Sequence, residues 1–134
     1  MQLEKILSTI NSYSVGLFDK LFGKNKTYSK PQEPEHAVIV HFRYEMDSLE
    51  PLYQLEDALE KQINEEGVGE FDGHEIAVDL SDGFLYMYGT NAETLFKAVK
   101  PILEKSNFMK GAVAKLRFGP PEEGIREIEV KLPE

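Results

Sequence analysis

The chain has 134 residues, a formal charge of −9 and no cysteine. This length suits one domain with an appendage, and the lack of cysteine excludes disulfides, a thiolate nucleophile and cysteine-based metal sites. The charge is unevenly divided, since residues 1–30 carry +3 and residues 31–134 carry −12. A body this acidic repels nucleic acid and attracts basic partners, so the charge disfavours a nucleic-acid partner.

The N-terminal part of the chain differs from the rest in its pattern. Residues 1–23 have the apolar spacing of an amphipathic helix, which we predict as a helical arm. Residues 24–35, with two prolines and many polar side chains, are typical of a linker. The apolar side chains of residues 17–22 could instead rest on a membrane surface, although anionic lipid would repel the acidic body. A membrane partner is therefore disfavoured.

Targeting signals are missing from the sequence. No stretch approaches the roughly 20 consecutive apolar residues that a membrane-spanning helix needs. The N-terminus also lacks the basic start, short apolar run and small-residue cleavage site of a secretory signal. We therefore expect a cytoplasmic protein.

Residues 36–134 predict one domain with the element order β-α-β-β-α-β-β. The predicted strands are His36–Tyr44, His74–Leu80, Phe84–Tyr88, Gly111–Gly119 and Ile125–Leu132. The second and third strands should form a hairpin around Ser81-Asp82-Gly83. The first six elements are those of the split βαβ, or ferredoxin-like, motif, and a fifth strand extends the sheet beside the fourth. The predicted fold class is thus α+β, with strands one and three in the centre and both helices on one face.

Two helices are predicted from capping residues and apolar spacing. Asp47 and Glu50 could form a capping box before the first helix, and Gly67 is a natural stop. Thr90 and Glu93 could form a second capping box. In the helix that they begin, Pro101 should either cause a kink or lie at a distorted turn. The predicted buried stripes are Leu52, Leu55, Leu59 and Ile63 in the first helix, and Leu95, Phe96, Val99, Ile102 and Leu103 in the second.

Strand alternation assigns each side chain to a face of the sheet. The helix side should collect Val38, Val40, Phe42, Ile76, Val78, Leu80, Leu85, Met87, Ala112, Ala114, Leu116, Phe118, Ile128, Val130 and Leu132. The open side should collect Ile39, His41, Arg43, Glu75, Ala77, Asp79, Phe84, Tyr86, Tyr88, Lys115, Arg117, Glu127, Glu129 and Lys131. Three aromatic rings of one strand therefore point to the open side.

This aromatic row is the strongest candidate for a binding site. Tyrosine and arginine dominate the hot spots of protein interfaces, so a partner platform is one interpretation. The candidate partner-binding residues are Phe84, Tyr86, Tyr88, Arg43, His41, Asp72, Glu75, Asp79 and Asp82. A second interpretation is that the N-terminal arm covers the rings. A third is that the rings stack RNA bases, which the negative charge and the pairing of Lys115 and Arg117 with neighbouring glutamates disfavour.

Signals for catalysis, metals and cofactors are weak. The three histidines share no metal-ligand spacing, and the acidic residues between Asp72 and Asp82 lack the regular spacing of a calcium loop. Asp72-Gly73 and Asp82-Gly83 read better as turn pairs. No nucleophile motif or phosphate-binding loop is found. We therefore expect neither an enzyme nor a bound cofactor or metal.

Several segments carry a resemblance to known proteins. "VIVHFRY", "LEPLYQLEDALE", "GVGEFDGHEIAVD", "SDGFLYMYG" and "AVKPIL" resemble a group of small, uncharacterised bacterial ferredoxin-like proteins. The resemblance covers residues 38–132 and implies no catalytic residues. In architecture and charge alone, the chain is also similar to acidic regulators of ribonuclease E and to immunity proteins of contact-dependent toxin systems.

The sequence therefore favours a non-enzymatic, acidic protein-binding module. The most concrete form is an immunity or inhibitor protein that occludes a basic toxin or nuclease, steered by charge and held by aromatic anchors. One alternative is a ferredoxin-like small-molecule-binding or enzymatic domain that forms a homodimer through its sheet face. RNA binding is the second alternative.

Overall fold

The computed structural model describes residues 35–134. The predicted arm (residues 1–23) and the linker up to residue 34 lie outside the described residues. The strands are β1 (His36–Arg43), β2 (Glu70–Ile76), β3 (Asp82–Gly89), β4 (Val113–Arg117) and β5 (Glu127–Lys131). The helices are α1 (Glu50–Glu66) and α2 (Ala92–Glu104), and a short 3-10 turn covers Asn107–Met109.

The five strands form one antiparallel sheet in the order β2-β3-β1-β4-β5. The prediction of an α+β fold with β1 and β3 in the centre is confirmed. In the register of the central pair, Ile39 lies opposite Tyr86 and His41 lies opposite Phe84. This pairing places side chains from β1 beside the aromatic residues of β3 on one face.

Helix α1 packs on the sheet through the predicted stripe. Leu52, Leu55, Leu59 and Ile63 are all buried, and Gly67 ends the helix in the left-handed conformation with φ of 65°. The start of the helix differs from the prediction, because Leu49 occupies the N-cap and makes no side-chain cap.

The predicted capping box at Asp47 is therefore wrong. Asp47 lies in a bend that precedes the helix. The hydroxyl group of Tyr44 takes over part of the capping role: it accepts a hydrogen bond from the Leu52 amide at 3.3 Å and donates one to the Ser48 carbonyl. A buried side chain from the end of β1 thus satisfies an amide in the first turn of α1.

The N-cap of helix α2 lies one residue later than predicted. Asn91, not Thr90, is the N-cap, and its side chain accepts a hydrogen bond from the Thr94 amide at 3.0 Å. The predicted apolar stripe is confirmed, with Ile102 only partly buried. Pro101 lies inside α2, in the last turn before its end at Glu104.

The β2–β3 hairpin is the main correction to the predicted strands. Strand β2 ends at Ile76, and a turn closes where the Leu80 amide donates to the Ala77 carbonyl at 2.8 Å. Leu80 has a φ of 62°, so the chain cannot continue as a strand there. Val78 is 89% exposed instead of buried, and Leu80 only packs at the edge of the core.

The predicted turn at Ser81-Asp82-Gly83 is also wrong. Asp82 and Gly83 open strand β3, where Gly83 pairs with Ile76. A side chain at Gly83 would meet the Glu75 carbonyl oxygen at 2.5 Å. Glycine is therefore required at this position because the two strands approach closely, and not because the chain turns there.

The core lies between the two helices and one face of the sheet. Most of the predicted helix-side residues are buried there, including Val38, Phe42, Leu85 and Met87, each at most 1% exposed. Strand β5 lies at the edge of the sheet, where Ile128 is 38% exposed. The helix side of the central strands is thus fully covered, whereas the helix side of the edge strand β5 is partly exposed.

Candidate functional site

The other face of the sheet, hereafter the open face, carries the candidate residues. Phe84, Tyr86 and Tyr88 of β3 point to this face and are each only partly buried. The two described helices pack against the opposite face. An antiparallel sheet that meets water on one side normally shows polar residues there. A row of three aromatic rings departs from that pattern.

The rings are ordered by stacking. His41 and Phe84, which are partners in the β1–β3 register, stack with ring centroids 4.6 Å apart and planes 20° apart. Phe84 and Tyr86 follow with centroids 6.2 Å apart and planes 21° apart. The His41 Nε2 atom lies 2.8 Å from the Asp82 carboxylate. Phe84 is thus held between two ring neighbours, and one of those neighbours is itself anchored.

Tyr86 is fixed at its polar end. Its hydroxyl group donates to the Glu75 carboxylate at 2.6 Å, across the β2–β3 pair. Burial raises the pKa of Tyr86 most, and the hydrogen bond to Glu75 and its negative charge add to the effect. The hydroxyl therefore stays neutral and remains a hydrogen-bond donor well into the alkaline range.

Tyr88 lies at the other end of the row, next to the start of β1. In register it pairs with Ala37 on one side and Glu70 on the other. Burial raises the pKa of Tyr88, Asp72 adds to this effect, and the positive charge of Arg117 opposes it. Both tyrosines thus lie in surroundings shaped by nearby carboxylates.

The edge of the sheet beside the rings is acidic. Residues 70–82 contain five aspartates and glutamates and no lysine or arginine. Strand β2 is the edge strand there, and it carries a bulge between Phe71 and Gly73, where Asp72 lies. Carboxylates and a bulge are common protections of an edge strand against pairing. They also give this side of the open face a negative potential.

The positive charges of the open face are mostly engaged. Arg43 pairs with Glu45 at 2.8 Å. Lys115 lies 3.9 Å from Glu127, and Lys131 lies 3.0 Å from Glu134. The Arg117 guanidinium donates to the backbone carbonyls of Gly119 and Glu35 at 2.7 and 3.2 Å, not to the glutamates predicted as its partners. These cations therefore neutralise their own surroundings.

The structure brings most of the candidate residues together but leaves one aside. Ala77 and Asp79, which were predicted to share the open face, lie beyond the end of β2 in the hairpin turn. Hydrogen bonds from the side chain and backbone of Ser81 lower the pKa of Asp79. Its carboxylate accepts the Ser81 amide at 3.0 Å. Asp79 therefore orders the turn and is not part of the ring row.

The sequence did not reveal a buried polar pair on the helix side. His74 is 7% exposed, and its Nδ1 atom lies 2.6 Å from the Glu56 carboxylate of α1. The prediction began β2 at His74 and assigned no role to this ring. Alternation within the predicted strand His74–Leu80 already places His74 on the same face as Ile76, so the signal for its burial was present in the sequence. Its pairing with Glu56 joins two separate elements, which alternation does not specify.

The other two histidines have separate roles. His36 accepts a hydrogen bond at Nδ1 from the Ala92 amide, 3.0 Å away, at the start of α2. His41 belongs to the stacked row. Among residues 35–134, no cluster of three or more His, Asp or Glu side chains could hold a metal ion. The same range contains no helix long and apolar enough to cross a membrane.

A groove lies between helices α1 and α2. This groove of about 530 Å³ has an apolar floor that includes Leu55, Ile102 and Phe108. Its rim carries Lys61 and Lys105 among other polar residues. The groove opens on the side of the domain opposite to the ring row.

Comparison with known proteins adds no assignment. No protein family, no curated protein and no solved structure matches the chain. The resemblance to small bacterial ferredoxin-like proteins therefore stays a prediction from the quoted segments.

Proposed function

We propose that the chain is a non-enzymatic binding module that docks a basic protein on its open face. The observation that carries this proposal is an ordered aromatic row beside an acidic edge strand, β2, which contains no lysine or arginine. Tyrosine rings supply large contact area at low entropic cost, and carboxylates beside them favour a cationic partner. The most concrete version is a cytoplasmic inhibitor or immunity protein that occludes a basic toxin or nuclease.

The charge of the domain supports a basic partner. Residues 35–134 hold 21 acidic and 10 basic side chains, a formal charge of −11. A surface of one sign speeds the association of an oppositely charged protein and makes the rate sensitive to salt. Beside the rings, Glu70, Glu75 and Asp82 provide this field at the site of contact.

The order of the rings supports a role as anchors. Phe84 is stacked on His41 and Tyr86 is hydrogen-bonded to Glu75, so both side chains have one preferred position before any partner arrives. Side chains that are already ordered lose less entropy on binding. A partner that covers them removes apolar surface from water at little cost in side-chain freedom.

The fold agrees with this reading without specifying it. We infer that the β2-β3-β1-β4-β5 order is a ferredoxin-like split βαβ arrangement with an added fifth strand. Many unrelated functions use this arrangement, so the fold alone favours none of them. RNA binding is the weaker alternative, because three of the four cations on the open face pair with carboxylates and the fourth, Arg117, binds backbone carbonyls.

The first test measures the electrostatic part with a defined probe. A decalysine peptide added to the labelled full chain should shift the backbone amide resonances of Glu70, Glu75 and Asp82, and salt should suppress these shifts. Helix α1 is the internal comparison, because it also exposes several carboxylates. Shifts confined to α1 would show that the open face does not attract cationic chains.

The second test asks whether the rings select a protein. Immobilised full chain is exposed to lysate of the native host beside two variants, Tyr86→Ala/Tyr88→Ala and the matched surface control Lys97→Ala/Lys100→Ala. We expect a protein with pI above about 9 that the control retains and the ring variant loses. Purified, it should bind the chain in calorimetry with the same dependence on Tyr86 and Tyr88.

Three outcomes would overturn the proposal. The first is that no basic protein depends on the rings. The second is salt-sensitive binding of oligouridine RNA that the ring variant abolishes. The third is a stable homodimer that becomes monomeric when Tyr86 is replaced, because the second copy would then be the occupant of the open face.

A further inference from the structure

We propose that two copies of the chain pair through the outer edge of strand β5 and form one continuous antiparallel sheet. Strand β5 (Glu127–Lys131) ends the order β2-β3-β1-β4-β5, and among the described strands β4 alone pairs with it. This edge is distinct from the open face, so the inference goes beyond the proposed function and does not rest on it. It adds an assembly interface away from the aromatic row.

The backbone of β5 presents hydrogen-bonding groups at this edge. The Phe118 amide donates to the Arg126 carbonyl at 3.0 Å, just before the strand. The Leu132 amide donates to the Ala112 carbonyl at 2.8 Å, just after it. Bonded and non-bonded pairs alternate along an antiparallel ladder, so the even-numbered residues of β5 bond to β4 and the odd-numbered ones point outward. The outward residues are Glu127, Glu129 and Lys131.

The two edges of the sheet differ in how they are protected. Strand β2 has a bulge between Phe71 and Gly73, and its charged side chains are carboxylates without lysine or arginine. Strand β5 pairs with β4 without a shift in register and contains neither proline nor glycine. Its charges have both signs, so a second copy of the same strand can neutralise them. Only β2 therefore carries the bulge and the charges of one sign that keep edge strands apart.

The helix side of β5 exposes apolar surface. Ile128 is 38% exposed, although Leu116 opposite it on β4 is buried. Val130, opposite Ala114, is only partly buried. The described helices make their main sheet contacts on β1 to β4. Two β5 strands side by side would bring Ile128 and Val130 of both copies together and remove this apolar surface from water.

The charges of β5 select one register for the pairing. With a two-fold axis at Val130, Glu129 of each copy lies opposite Lys131 of the other, and both residues point their backbone groups outward. An axis one residue to either side sets Glu129 or Lys131 against itself, and like charges directly opposite are destabilising. Within one chain Lys131 pairs with Glu134 at 3.0 Å, but both side chains are largely exposed, so this pair is readily exchanged.

The first test follows the mass of the full chain, 15.3 kDa for one copy, by analytical ultracentrifugation over a concentration series. We expect a monomer–dimer equilibrium. Glu129→Lys and Lys131→Glu should each weaken the dimer about tenfold or more, because every opposite-charge pair becomes a like-charge pair. An equimolar mixture of the two variants should restore the dimer, since the lysines of one chain then meet the glutamates of the other. Restoration also shows that both variants are folded.

A second set of variants tests the apolar and backbone parts of the contact. Ile128→Ser should weaken the dimer, whereas the matched control Val78→Ser, at a side chain 89% exposed in the β2–β3 turn, should not. The outward amides of Glu129 and Lys131 should exchange with solvent more slowly as the dimer forms. Tyr86→Ala should leave the dimer intact, so this inference and the proposed function can fail separately.

Three results would overturn the inference. The first is a full chain that stays monomeric at every concentration. The second is a dimer that neither charge reversal weakens, or that the mixture of reversed chains fails to restore. The third is a dimer that Tyr86→Ala abolishes and Ile128→Ser leaves unchanged, because the two copies would then meet through the open face.

Discussion

The two faces of the sheet are built from the same strands but differ in how far their side chains are buried. In β3, Leu85 and Met87 point to the helices and are fully buried, whereas Phe84, Tyr86 and Tyr88 point away and stay partly exposed. Both faces carry apolar side chains. Only the helix face is closed by other described parts of the chain.

The difference shows that apolar character alone does not decide how a side chain is held in place. On the helix face, aliphatic side chains interdigitate with α1 and α2 and fix the fold. On the open face, the rings make few core contacts and are ordered by partners on the sheet itself: His41, Glu75 and Asp82. One face is therefore specified by packing against the helices, and the other by contacts within the sheet itself. Four predictions test this contrast.

The largest effect is expected from a core truncation in β3. Leu85→Ala should lower the free energy of unfolding by about 2–5 kcal/mol, because it removes a fully buried side chain and leaves a cavity. Its chain neighbour on the open face provides the matched comparison, and Phe84→Ala should cost about 1 kcal/mol. Urea denaturation of both variants measures the contrast. Equal losses would mean that the open face contributes to the core as much as the helix face.

A smaller effect is expected at the one polar pair described on the helix face. Glu56→Ala leaves His74 without its 2.6 Å partner in a buried position. An unsatisfied buried group costs about 1–3 kcal/mol. Asp57→Ala, one residue along on the exposed side of α1, is the control and should change stability by less than about 0.5 kcal/mol. If both variants unfold alike, the His74–Glu56 contact does not stabilise the domain.

The alkaline response of the open face provides the third prediction. Tyr86→Phe removes the hydroxyl group that donates a hydrogen bond to Glu75, and it should lower the free energy of unfolding by about 0.5–1 kcal/mol at neutral pH. The folded state raises the pKa of Tyr86, so it holds the phenol proton to higher pH than the unfolded chain does. The contribution is therefore full below the ordinary pKa of about 10 and is lost as the pH rises above it.

The raised pKa of Tyr86 predicts a dependence of stability on pH that the loss of a hydrogen bond alone would not produce. Denaturation at increasing pH should show that the wild-type chain loses more stability above about pH 10 than Tyr86→Phe does. Absorbance titration of the same two proteins should show one late-ionising phenol fewer in the variant. Parallel stability profiles would indicate that Tyr86 is freely ionisable in the folded state.

The smallest effect is expected on the solvent side of the helices. Lys61 and Glu65 form an exposed pair at 2.6 Å, four residues apart along α1. Such pairs contribute only about 0.3–0.5 kcal/mol and weaken with salt. Lys61→Ala should therefore lower the thermal midpoint by only about 1–2 °C, and high salt should remove the difference. A larger loss would show that the helix surface is more strongly coupled to the fold than the contrast between the faces implies.

The sequence by itself determined the elements and the faces of the central strands. Alternation of apolar residues in β1, β3 and β4, and helical spacing in α1 and α2, were strong because each pattern spans several residues that point the same way. The position of the rings on the face away from the helices followed from that alternation. The acidic character of residues 70–82 followed from composition alone.

Where local signals in the sequence compete, the tertiary structure decided the outcome. Asp82-Gly83 resembles a turn, yet Gly83 is needed inside β3 because the strands approach too closely for a side chain. The apolar residues Val78 and Leu80 resemble strand residues, yet the chain turns at Leu80 through hydrogen bonds that no spacing rule specifies. The links from Tyr86 to Glu75, from His41 to Asp82 and from His74 to Glu56 join separate elements. Periodicity records which way a side chain points, but only the register between strands determines what it meets.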